Sequence, residues 1–261
     1  MNAVADTAGD IGLVDGARIY ARMTLMRLRR GRVLWAAGAL FLSPLLYVIP
    51  LALAGHWGRG LFDEVNELCF RFLIPFVPAL LASPMLAEEI ENKTFTFVFA
   101  RPAPRSSLIL GKYVAGIAPL VIVIVPTLVV AWLIAMARYP SDMIDGWPHL
   151  LRVEAAAVLG VCAFGALSLT LGTVFSRHPF VAVVVYLGLI EAGLGSTPVL
   201  LNLVAVTWHL RNLADLPLPA LRFVSLDVPA WGSALVAAGV TPLFLWLAAL
   251  GVTGAEYRTD R

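Results

Sequence analysis

Six apolar stretches, each near the roughly 20 residues that one membrane-spanning helix needs, run along a chain of 261 residues. They are Val33 to Ala54, Leu68 to Ala87, Leu108 to Ala137, about Leu151 to Phe175, a run from about Phe180 through VAVVVYLGLI to Glu191, and Val228 to Gly254. A backbone in lipid has no water to bond to, so such runs must close their hydrogen bonds internally, as helices. The expected fold is therefore all-α: a polytopic membrane protein with six transmembrane helices. Pro44, Pro50, Pro75, Pro78, Pro84, Pro119 and Pro126 fall inside the runs; neighbouring helices make such prolines tolerable in a membrane. Composition agrees. Hydrophobic residues make up 60% and charged residues only 14%, with mean hydropathy +0.85, against about 25% charged in an average soluble domain. Neither a disordered chain nor an ordinary soluble globule has this balance. A net charge of +2 leaves no broad basic face for nucleic acid.

The first residues carry Asp6, Asp10 and Asp15 and do not resemble a signal peptide, so the first run is expected to remain as a span. Basic residues then orient the chain. Of the 19 lysines and arginines, 13 lie before the first run, between the second and third (with Lys112 at the start of the third), between the fourth and fifth, or after the sixth. The richer side faces the cytoplasm, which puts both termini there. Between Ala17 and Arg32, Ile19, Met23 and Met26 form one helical stripe beside Arg18, Arg22 and Arg29. This pattern predicts a helix lying in the headgroup layer, with a solvated charged leader as the alternative. The outer loops are expected at Gly55 to Glu67 and Arg138 to Leu150. From Ser196 to Ala230 the chain is partly apolar, yet it is broken by Asn202, His209, Arg211, Asn212, Asp215, Pro217 and Pro219. It predicts an outer-side hairpin before the last span. One domain follows: residues 1–32 as leader and interfacial helix, 33–254 as the six-span bundle, 255–261 as a cytoplasmic tail.

Catalytic patterns are missing. The chain has no phosphate-cradling G-x-x-x-x-G-K-[ST], no H-E-x-x-H and no G-x-S-x-G. His56, His149, His178 and His209 lack metal-ligand spacing, and Cys69 and Cys162 sit at different depths. No catalytic residue, metal or cofactor of its own is expected. Glu191 is the one acid well inside an apolar run. Its cost in lipid requires that it face the bundle interior, be paired, or be protonated. It is either a gate or transport-path residue, or an anchor where the fifth run ends and the hairpin begins.

The segment from Glu88 to Gly116 reads EEIENKTFTFVFARPAPRSSLILGKYVAG. Acids close the second run, aromatic and β-branched residues follow, and Pro102 and Pro104 forbid a continuous helix. Ser106 and Ser107 are candidates to cap the next one. A partly apolar, charge-flanked elbow on the cytoplasmic face suits a soluble partner; the plainer alternative is a loop whose charges anchor two spans.

This segment resembles that of the ABC-2 type transporter permease family. The family's run of acid-x-acid, threonine, a short apolar stretch, Arg-Pro-x-x-Arg and Gly-Lys is met by Glu89, Glu91, Thr94, Arg101, Pro102, Arg105, Gly111 and Lys112. Lys93 departs from it, standing where many members carry glycine. The stretch around Glu191 and the hairpin, and the N-terminal elbow helix, are similar to the family's too. The resemblance implies a non-catalytic permease subunit in a bacterial inner membrane. It would work as a homodimer with two copies of a separate ATPase subunit that binds the ATP and Mg. It also implies a cytoplasmic coupling helix, with Glu89, Glu91, Thr94, Phe95, Phe97, Phe99, Arg101, Pro102, Arg105 and Lys112 transmitting ATPase closure. The first, second and fifth spans would form the dimer interface, where Gly188, Gly193 and Gly195 allow close approach. An ion-driven secondary transporter is the alternative. That class shows broken helices at matching points of two repeats, and only one break, after Glu191, is visible.

Overall fold

The computed structural model describes residues 12–91, 104–197, 200–218 and 228–255, and among them every regular element is helical. Helix α1 (Leu13–Arg30) ends at Gly31, whose extended backbone (φ −82°, ψ 150°) turns the chain into α2 (Arg32–Leu53). In α2 the buried residues Ala37, Phe41, Pro44, Val48 and Ala52 form one stripe, and the other side is open. The stripe on α1 that sequence assigned to lipid, Ile19, Met23 and Met26, does face outward; Gly16, Tyr20 and Thr24 form the buried face.

The second helix starts earlier than expected. α3 (Arg59–Leu68), a π-helical turn (Cys69–Leu73) and α4 (Ile74–Glu91) follow without a break. Residues 59–67 are thus helix, not loop. Leu61, Phe62, Val65 and Asn66 are buried, Asp63 and Glu67 are half-buried and Glu64 is exposed, and an amphipathic turn of this kind hides from a search for uncharged runs. The widened turn has a local cause. The ring of Pro75 would collide with the carbonyl of Arg71 in an α-helix, and a longer hydrogen-bond register carries the chain past it. The next expected loop is also largely helical: α5 (Arg105–Ala135) leads to α6 (Pro140–Asp145) and then to α7, which starts at Trp147.

α7 (Trp147–Val174) is the hub, packed by α4, α5, α8 (Pro179–Tyr186), α9 (Val206–Leu213) and α10 (Ala230–Ala255). Its apolar window is 72% buried, against 28% for α2 and 17% for α10 (Ala230–Ala255). Most of the surface of the last two is left open by the rest of the chain. Small side chains let the hub's neighbours close in. A Cβ on Gly172 would lie 2.2 Å from the Ser83 carbonyl of α4, closer than atoms can pack.

Among the described residues, five helices are long and apolar enough to cross a membrane. The remaining run is shorter than expected: α8 (Pro179–Tyr186) continues through a π-helical turn (Leu187–Gly193) and a 3-10 turn (Leu194–Ser196). From Pro179 to Gly193 it rises about 22 Å, short of a hydrocarbon core of about 30 Å. The hairpin region holds a 3-10 turn (Leu200–Val204) and α9 (Val206–Leu213). Cys69 and Cys162 are both free thiols.

Candidate functional site

At the end of the bundle where α4 finishes and α5 begins, three helices are locked together by Gly111 and Lys112. Gly111 has the backbone of α1 against it: a Cβ would sit 2.5 Å from the Ala17 carbonyl oxygen, 2.7 Å from Tyr20 Cβ and 3.0 Å from the Ala21 nitrogen. Lys112 is 1% exposed, and its Nζ donates to the Met85 carbonyl of α4 at 2.6 Å. Met85 also lies over Gly116, one turn further along α5. An ammonium group out of water needs acceptors, and the carbonyl it uses lies just ahead of the chain's exit from α4. The two ends of the intervening segment are thereby held side by side.

That segment bears on most of the expected coupling residues. Thr94, Phe95, Phe97, Phe99, Arg101 and Pro102 lie outside the described residues. Glu89 and Glu91 occupy the last turn of α4, and Arg105 opens α5; their side chains are likewise outside the description. The expected serine cap takes another form. Pro104 occupies the cap position of α5, and the Ser107 hydroxyl donates to the Pro104 carbonyl at 2.5 Å instead of accepting from a backbone N–H.

Glu191 lies at the other functional position, and it is 7% exposed. Its Oε1 accepts from the Tyr186 hydroxyl at 2.9 Å and the Val206 N–H at 3.1 Å. Its Oε2 accepts from the Thr207 N–H at 2.9 Å and from the Thr207 hydroxyl. Val206 and Thr207 open α9, where free N–H groups and the helix dipole favour a negative charge. Ala205 at the cap position has no side-chain acceptor, so a carboxylate from another element serves. Glu191 thus pins the hairpin helix to the end of the fifth run. α9 is held at its other side by Asn212, which donates to the Val228 carbonyl (2.9 Å) and the Ser233 hydroxyl (2.8 Å).

Replacing Glu191 with glutamine puts an NH2 where one oxygen stood and strands either the Val206 or the Thr207 N–H, at a cost of about 1–3 kcal/mol. The variant should insert normally. Its Val206 or its Thr207 amide should exchange hydrogen about tenfold faster or more, since each 1.4 kcal/mol is a factor of ten. Exchange at the wild-type rate would show that the carboxylate does not hold the hairpin.

Sequence reasoning missed a polar cluster at the end opposite Lys112. Arg59 reaches Asp215 at 2.9 Å and His149 Nδ1 at 3.3 Å, and His149 Nε2 meets Asp63 at 2.7 Å. With Arg59 donating to Nδ1, Nε2 carries the proton and donates to Asp63. Asp215 closes α9 in the left-handed region (φ 58°), with Leu216 N–H bonded to the Arg211 carbonyl at 3.0 Å; its short polar side chain tolerates that backbone. Glu67 accepts from both Arg71 (3.1 Å) and Arg211 (3.2 Å). Only the i,i+4 spacing of Arg59 with Asp63 and of Glu67 with Arg71 was a visible signal. No group of three His, Cys, Asp or Glu side chains among the described residues could hold a metal ion.

Long apolar helices packed into one bundle, with every regular element helical among the described residues, define a multi-pass membrane protein. The profile of the ABC-2 family transporter proteins matches residues 52–208, more than half of the chain. The protein belongs to that family and is its membrane component. Comparison with curated proteins finds no match.

Proposed function

We propose that this chain is the permease subunit of an ATP-driven exporter, itself without catalytic activity, and that it works as a homodimer with two copies of a separate ATPase. In this reading the chain crosses the bacterial inner membrane six times with both termini in the cytoplasm. The short fifth helix spans the inner part of the bilayer, and the Glu191-anchored hairpin fills the outer part. The observation that carries the reading is the Lys112 ammonium on the Met85 carbonyl, together with α1 seated on Gly111. A load applied to residues 92–103 then passes at once into three helices, as a coupling segment requires. Glu89, Glu91, Arg101 and Arg105 flank that segment with charge, and Phe95, Phe97 and Phe99 supply apolar anchors. Gly188 supports the dimer interface, since nothing lies within 4 Å of where its Cβ would be and a second helix can approach it closely.

The test is assembly. Purified alone, the chain should hydrolyse no ATP. Co-expressed with its partner ATPase, it should purify as a complex with two copies of each subunit whose ATPase activity responds to the membrane subunit. Recovery of the chain only as a monomer, with no ATPase bound under any nucleotide condition, would overturn the reading.

A further inference from the structure

The arginines of this chain fall into two kinds. Those at the end of the bundle opposite Lys112 have carboxylates beside them: Arg59 and Arg152 meet Asp215 at 2.9 and 3.8 Å, and Arg71 and Arg211 meet Glu67 at 3.1 and 3.2 Å. Those of α1 do not. Arg18, Arg22, Arg29 and Arg30 are exposed, and among the described residues their side chains have no ion pair or hydrogen bond. Asp15 is the one acid in the helix. Nor is α1 free to roll toward other partners, because its buried face is set against α5 at Gly111. At about 100° per residue, Arg18, Arg22 and Arg29 lie on the side directly away from Tyr20, and Ile19, Met23, Met26 and Arg30 share one flank. That flank is open: Ile19 is 45%, Met23 46% and Met26 50% exposed. Met26 is its centre, with Arg22 one turn before it and Arg29 and Arg30 one turn after. Three guanidinium groups around an outward apolar side chain ask for an anion joined to an apolar tail.

Depth narrows the choice. Gly31 turns the chain from α1 directly into α2, whose uncharged run opens at Val33. Trp35 is 71% exposed, and its Nε1 donates to the Arg29 carbonyl at 3.2 Å. An exposed tryptophan at the start of a span marks the boundary between water and hydrocarbon, so the end of α1 lies at the level of lipid phosphates. Basic clusters on an amphipathic helix beside a span attract acidic lipid. We propose that α1 binds an acidic phospholipid of the cytoplasmic leaflet, its phosphate held by Arg22, Arg29 and Arg30 and an acyl chain laid along Ile19, Met23 and Met26. The proposal rests on the orientation given above, with the N-terminus in the cytoplasm. A zwitterionic lipid would bring its own cation to a helix already in positive excess, and a free phosphate would leave the apolar flank uncovered.

Met26→benzoylphenylalanine places a photo-crosslinker at the centre of this site. The full chain is irradiated in nanodiscs of phosphatidylethanolamine with a minor share of phosphatidylglycerol, and its lipid adducts are identified by mass. Phosphatidylglycerol should be enriched about tenfold over its share, since each arginine at an acidic surface is worth about fivefold. Adding Arg29→Gln and Arg30→Gln should bring the adducts close to the bulk ratio; Arg18, Arg22, Arg27 and Arg32 remain to keep the chain's orientation. Arg177→Gln, which removes an exposed arginine elsewhere, should leave the enrichment unchanged. Inorganic phosphate should displace no lipid at matched ionic strength. Adducts of bulk composition, enrichment that survives the double substitution, or displacement by phosphate would each overturn the proposal. So would loss of the lipid adduct when the partner ATPase binds, which would assign the arginines to that subunit. A reporter fused after Arg261 is scored on the same chain. A cytoplasmic reporter without enrichment refutes the lipid site alone, whereas an external reporter refutes the orientation beneath it.

Discussion

Replacing Gly111 with leucine should lift the N-terminal helix off the bundle. The three atoms nearest its Cβ position, at 2.5, 2.7 and 3.0 Å, are the Ala17 carbonyl oxygen, Tyr20 Cβ and the Ala21 nitrogen. None of them is the far end of a flexible side chain, so no rotamer change relieves the clash, and α1 must move as a body. Overpacking of this kind costs about 1–3 kcal/mol for a few added carbons, and it falls on the buried face of α1 that holds Gly16, Tyr20 and Thr24. Limited trypsin digestion in membranes gives the readout, because α1 carries Arg18, Arg22, Arg27, Arg29 and Arg30. The variant should be cut there under conditions in which the wild type resists. Gly239→Leu is the control, since nothing lies within 4 Å of its Cβ position, and it should digest like the wild type. Equal resistance in Gly111→Leu would mean that α1 is not held by this contact.

The clamp clarifies why two adjacent motif residues are a glycine and a lysine. Gly111 admits α1 from one side of α5, and Lys112 reaches α4 on the other. Each would lose its purpose without the neighbouring helix. A lysine is suited to the second task because its long stem spans the gap between helices, while its head needs only acceptors. Methionine would fill the same space and leave the Met85 carbonyl without that bond.

Much of this was legible in sequence, for reasons that also set its bounds. Hydrocarbon demands long uncharged runs, so α2, α5, α7 and α10 stand out. The same criterion fails for residues 59–67, where the helix continues with acids on one face and Leu61, Phe62 and Val65 on the other. It also overestimates the fifth run, whose helical rise stops near Glu191. That carboxylate was conspicuous as an acid among apolar residues. Its partners were not, because two of the four donors are backbone N–H groups, which leave no trace in side-chain identity. Lys112 is the same case reversed: its place in the motif was plain, but its acceptor is a carbonyl 27 residues earlier in the chain. The Arg59, His149 and Asp215 cluster joins residues up to 156 positions apart, and no local spacing announces it.

Alanine at Glu91 or at Arg105 should leave expression and membrane insertion intact while weakening assembly with the ATPase or uncoupling its turnover from transport. Both positions lie outside the apolar runs, Glu91 at the end of α4 and Arg105 at the start of α5, so neither is needed to hold the bundle in lipid. Their proposed task is orientation. Phe95, Phe97 and Phe99 would provide most of the contact energy, at about 1.5–3 kcal/mol for each side chain fully buried in a groove of the partner. Apolar contact is non-directional, and a lever must also keep its angle. Charged contacts supply that, and truncating one partner of a desolvated pair costs about 2–5 kcal/mol, much of it from the charge left behind. The two classes of variant should therefore separate. Phe97→Ala should lower the yield of complex at any nucleotide state. Glu91→Ala and Arg105→Ala should retain some complex whose ATPase rate no longer responds to the membrane subunit. Co-purification yield and ATPase rate in reconstituted vesicles distinguish the two. If both charge variants assembled and turned over like the wild type, the segment from Phe95 to Arg105 would lose its proposed role as the point where ATPase motion enters the membrane.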